Sequence, residues 1–111
     1  MSAASAVEAV LRGQAEIGEW QEGLYRDLHA HPELGHQETR TAGVVAAELR
    51  QLGFVVHENV GGTGVVGVLV NGDGPVVLMR ADMDALPVAE ATGLPYASAV
   101  RTTEVPGTKC P

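Results

Sequence analysis

The densest potential chemistry in the chain is Arg80-Ala81-Asp82-Met83-Asp84, an arginine with two carboxylates at alternating positions. It stands where the apolar run Val76-Val77-Leu78-Met79 gives out, and strand ends are where open α/β sheets build their sites. In extended chain Asp82 and Asp84 point to the same side, and two like charges that close need a cation, an arginine or hydrogen-bond donors to ionise together. The same pattern also suits a solvated strand end at which Arg80 neutralises one aspartate; spacing alone leaves both open.

A second group is Leu28-His29-Ala30-His31-Pro32-Glu33-Leu34. His29 and His31 lie two apart, which is not the i, i+4 spacing of a helical metal pair. A helix carboxyl end, where the dipole favours histidine, followed by a proline turn, is the expected role. His36 and His57 have no neighbour in the sequence that would give them a task. Gly62-Thr63-Gly64-Val65-Val66-Gly67 has the spacing of a dinucleotide fingerprint, but that chemistry needs a helix opening directly after the glycines. Val68-Leu69-Val70 and a reversal follow instead, so turn glycines are predicted and a nicotinamide-binding domain is disfavoured. Cys110 has no companion to activate it, to form a disulfide or to build a cysteine metal cluster.

The elements that must hold these groups follow from periodicity. Ile17, Trp20, Leu24 and Leu28 make one helical stripe ending at Pro32, with Gly13, Gly18 and Gly23 placing its early turns in doubt. Ala42, Val45, Ala46, Leu49 and Leu52 make a second, stopped by Gly53. Strands are expected at Phe54–His57, Val65–Val70 and Pro75–Met79, with a turn at Gly61–Gly64. Asn71-Gly72-Asp73-Gly74 predicts that the last two pair as a hairpin, and their unbroken apolar character predicts burial on both faces. Beyond Arg80 a long irregular tail, with Pro87, Pro95 and Pro106, wraps over the surface. The fold class is therefore α/β: a partial mixed sheet with two amino-terminal helices.

The chain's 111 residues suit one unit, and with one Phe, one Trp and two Tyr its core must be built thinly from Val, Leu and Ala. Seven basic against fourteen acidic residues give a net charge of −7, which argues against nucleic acid or an anionic membrane as partner. No signal peptide or membrane-length apolar segment is seen, and a cytoplasmic protein is expected.

Tyr25-Arg26-Asp27-Leu28-His29-Ala30-His31-Pro32-Glu33-Leu34-Gly35, then Glu38, Thr41-Ala42 and Leu52-Gly53-Phe54, resembles the start of the amidohydrolases that include hippurate hydrolase and plant auxin-conjugate hydrolases, within the two-metal peptidase superfamily. The resemblance continues through Gly62-Thr63-Gly64, the string Arg80 to Pro87, Glu90 and Gly93-Leu94-Pro95-Tyr96, in order over roughly residues 20–100. It implies a metal-dependent hydrolase, with zinc or manganese, cleaving the amide bond of N-acyl amino acids. In such enzymes the metal polarises the scissile carbonyl and activates water, and a glutamate moves the proton. Asp84 matches the aspartate that steadies a metal ligand from beside the cluster. Asp82 falls where related peptidases carry a metal-binding histidine and is not assigned as a ligand.

The resemblance also implies a Cys-Gly-His-Asp segment after Tyr96, and later a glutamate pair and further histidines; Cys110, followed by Pro111, is not that cysteine. Residues 1–111 are accordingly expected to be the amino-terminal part of a catalytic domain, without its dimerisation domain, inactive alone and prone to aggregate. The alternative is a small non-enzymatic binding or interaction module derived from that domain.

Overall fold

The computed structural model describes residues 2–102, and the tail beyond, with Cys110 and Pro106, lies outside them. Helix α1 spans Ala3–Ala30 and helix α2 Thr39–Gln51; strands β1 (Val55–Val60) and β2 (Gly64–Val68) follow. The early turns of α1 are helical despite its three glycines. Ser2 caps them by accepting the Ser5 amide at 3.2 Å, and alanines at 3, 4, 6 and 9 are the strongest helix formers. The helix stops at His31, directly before Pro32, as the sequence requires. None of its residues is buried: Ile17 and Trp20 stay about half exposed, while Leu24 and Leu28 are half-buried. Its stripe is engaged only toward the carboxyl end.

Helix α2 packs against both strands and supplies the centre of the unit. Ala42 and Ala46 are buried, and Val45 and Leu49 on the same stripe are half-buried. Gly53 takes φ +88° at the helix stop, a left-handed angle that costs glycine little, and the chain turns back so that the Phe54 amide donates to the Leu49 carbonyl at 3.1 Å.

The hairpin differs from expectation. β1 pairs antiparallel with β2, in register Val55 with Val68, Val56 with Gly67 and His57 with Val66, through the tight Gly61–Thr63 turn. A bulge between His57 and Val60 places Gly64 opposite Val60, where a side chain would collide with the Val60 carbonyl. The third expected strand, Pro75–Met79, forms no strand among the described residues and does not pair with Val65–Val70. The turn that wins is the nearer one, closing a three-residue loop, whereas Gly72–Gly74 makes only a bend. Burial on both faces is not found either. Val55, Val66 and Val68 remain 43–62% exposed, and Val76 to Met79 are 81–97% exposed, because only α2 covers the sheet.

Candidate functional site

Some of the residues singled out in the sequence, His29, Glu33, Glu90 and the chain beside Asp84, meet at one junction, where the carboxyl end of α1, the start of α2 and the irregular tail come together. Glu33, just past Pro32, turns its carboxylate onto the open amino end of α2. The Arg40 amide donates to its Oε2 at 3.0 Å, and the Thr41 amide and hydroxyl donate to its Oε1 at 2.6 and 2.7 Å. Glu38, the residue preceding the helix, makes no side-chain cap of its own, so Glu33 serves instead. Burial pushes the Glu33 carboxyl up, but the donors from Thr41 and Arg40 outweigh it and hold it below the usual range.

Glu38 itself is buried and accepts the Thr63 hydroxyl at 2.6 Å, tying the hairpin turn to α2. Burial pushes its carboxyl up, but the Thr63 hydroxyl, the backbone amides of Glu38 and His36 and the His36 charge together hold it below the usual range. No buried side-chain polar atom among the described residues lacks a partner. This explains the Gly62-Thr63-Gly64 segment without a cofactor: Thr63 holds Glu38, Gly62 supplies a positive φ of 116°, and β2 rather than a helix follows.

The two histidines separate. His31 turns back on α1, its Nδ1 2.8 Å from the Asp27 carbonyl oxygen and 3.4 Å from the Asp27 carboxylate. His29 reaches forward, with Nε2 2.7 Å from Glu90 Oε1. Both are hydrogen-bonded within the chain, and the Glu90 partner 61 positions away was invisible to local pattern.

Arg80 and Asp82 form an exposed ion pair at 2.6 Å, worth at most about 1 kcal/mol, so Arg80 neutralises one aspartate as one reading expected, although no strand ends there. Asp84 goes elsewhere. Its Oδ2 lies 3.9 Å from where a side chain on Gly35 would begin, and the next residue, Ala85, donates its amide to the Glu33 carbonyl at 2.8 Å. Asp84 is exposed and lines, with Leu49, Phe54, Val65, Met79 and Glu90, an open, mainly apolar trough of about 1660 Å³. Among the described residues no three His, Cys, Asp or Glu side chains converge closely enough to hold a metal ion, so these residues do not by themselves fit the metal that the resemblance implies. No described helix is long and apolar enough to cross a membrane.

With this geometry in hand, similarity to known proteins is informative. Over 78 residues, 69% of this chain and 20% of the relative, it is 49% identical to hippurate hydrolase of Campylobacter jejuni. Over 80 residues, 72% of this chain and 18% of the relative, it is 40% identical to IAA-amino acid hydrolase ILR1-like 5 of Arabidopsis thaliana. A thermostable carboxypeptidase of Saccharolobus solfataricus is 43% identical over 97 residues, 86% of this chain and 25% of the relative. The chain thus spans about a fifth to a quarter of the length of these relatives. No protein-family model matches it, and no solved structure does. The chain belongs to the amidohydrolase family that includes hippurate hydrolase and the IAA-amino acid hydrolases.

Proposed function

We propose that this chain is part of a metal-dependent amidohydrolase that cleaves the amide bond of N-acyl amino acids, and that it contributes Asp84 and the framework that holds it. The observation that carries this reading is the placement of the Arg80–Pro87 string: Asp84 is set at the rim of an open trough by the neighbouring backbone bond from Ala85 to Glu33. Names of relatives support the substrate class, since hippurate and IAA-amino acids are both N-acyl amino acids. A divalent metal, zinc or manganese, belongs to the proposal for the whole enzyme. The described residues assemble no donor set for it by themselves. Asp84 is proposed to orient a ligand contributed from outside the described residues. The single cysteine, Cys110, goes with a reducing, cytoplasmic setting.

The experiment is hydrolysis of N-acetyl and N-benzoyl amino acids with added manganese or zinc. It compares the 111-residue chain with a version extended to the relatives' length. The proposal expects turnover only from the longer protein. Turnover by the 111-residue chain would show that its own side chains build a complete site, and turnover by neither would remove the substrate class. A non-enzymatic binding module, the second reading, has in its favour the exposed run Val76 to Met79. It requires that the longer version also be inactive.

A further inference from the structure

We propose that Glu90 is a positioning residue that locks the segment from Asp84 to Ser98 onto the end of α1, and thereby sets where Asp84 stands. This goes beyond the hydrolase reading and depends neither on a metal nor on a substrate. The segment contains no helix or strand, so its place must come from individual ties. Glu90 gathers three. His29 of α1 meets Oε1 at 2.7 Å, the Thr92 hydroxyl donates to the same oxygen at 2.7 Å, and the Ser98 amide donates to Oε2 at 2.6 Å. One oxygen thus faces α1 and the other closes a loop within the segment.

Packing completes the lock. Closing that loop presents Tyr96, whose ring meets His29 edge-on at 5.4 Å and Tyr25 at 6.2 Å, with the Arg26 guanidinium carbon 5.0 Å from its centre. The Glu90 side chain is only 13% exposed, so a partner lost there is not simply replaced by water. At the other end of the segment the Ala85 amide on Glu33 is a single backbone bond. Pro87, between the two ties, limits the slack with its fixed φ. Without Glu90, the Ala85 bond and the Tyr96 packing are left to hold Asp84 beside Gly35.

Amide hydrogen exchange followed by NMR on the full 111-residue chain tests this. In Glu90→Ala and His29→Ala, exchange at Ser98 and Ala85 is expected to rise by about ten-fold or more, while Phe54, bonded to Leu49, keeps its rate. His29→Gln, which can still donate toward Glu90, is expected to restore protection at both. Ala85 exchanging at its original rate in both alanine variants would overturn the proposal. So would an equal rise at Phe54, a failure of glutamine to rescue, or no protection of Ser98 and Ala85 in the unaltered chain.

Discussion

Thr41 donates twice to one oxygen of Glu33, through its amide at 2.6 Å and its hydroxyl at 2.7 Å, so a carboxylate eight positions upstream caps α2. That one relationship explains why a histidine-proline-glutamate turn precedes the helix. Proline ends α1 and aims the chain so that the glutamate lands on the next helix's free amides.

Replacing Glu33 by alanine is therefore expected to cost about 0.5–2 kcal/mol, the range for a lost helix cap, seen as a lower urea midpoint. An unchanged midpoint would mean that water satisfies the Arg40 and Thr41 amides equally well.

Glu90 should respond to acid. The hydrogen bond from His29, then the Ser98 amide and the Thr92 hydroxyl, lower its carboxyl from 4.5 to about 2. A depressed folded value means that its contribution is complete above about 4.5 and is lost as pH falls from there toward about 2. The Glu90 carboxyl carbon, followed by NMR, should titrate with a midpoint near 2, and higher in His29→Ala. A midpoint near 4.5 in the unaltered chain would contradict the geometry.

A methyl at Gly67 would begin 3.0 Å from Leu49 Cδ1 and 3.1 Å from Phe54 Cδ1, beneath the α2–β2 packing. Gly67→Ala should destabilise the chain by about 1–3 kcal/mol in urea unfolding, the usual cost of overpacking. Gly35→Ala meets Asp84 only at 3.9 Å and should stay within about 0.5 kcal/mol of the original. Equal effects at the two positions would refute the packing described.

Val76, Val77, Leu78 and Met79 are 81–97% exposed, an apolar extended run with no strand beside it among the described residues. Self-association in sedimentation velocity is expected, and Val77→Lys should reduce it by charging the run. A chain that stays monomeric at all concentrations would count against this.

These elements mark how far the sequence could be followed. α2 and its stop were legible because the stripe and Gly53 are local signals, and the end of α1 before Pro32 was legible for the same reason. The hairpin was misassigned because apolar runs state that a strand wants a neighbour, not which one. Val65–Val70 had two glycine turns beside it, and the nearer Gly61–Thr63 turn took it. Early α1 is helical against the expectation from its glycines because the Ser2 cap offsets them. The ties of Glu33 to α2, Thr63 to Glu38 and His29 to Glu90 span 7 to 61 positions and leave no periodic trace. Yet His29, Glu33, Glu38, Thr41, Thr63 and Glu90 all fall within the blocks that carry the family resemblance, and Arg40 alone of the partners falls outside them.

The most direct test of the account is Asp84→Asn in a longer, catalytically active protein that carries this segment. The proposed role, an Asp84 carboxylate that orients a metal ligand of the longer protein, predicts about a 10- to 100-fold drop in turnover or metal affinity. The Ala85 amide should remain protected, because its bond to Glu33 does not involve the Asp84 side chain. Unchanged turnover and metal content, with the fold intact, would contradict the role given to Asp84.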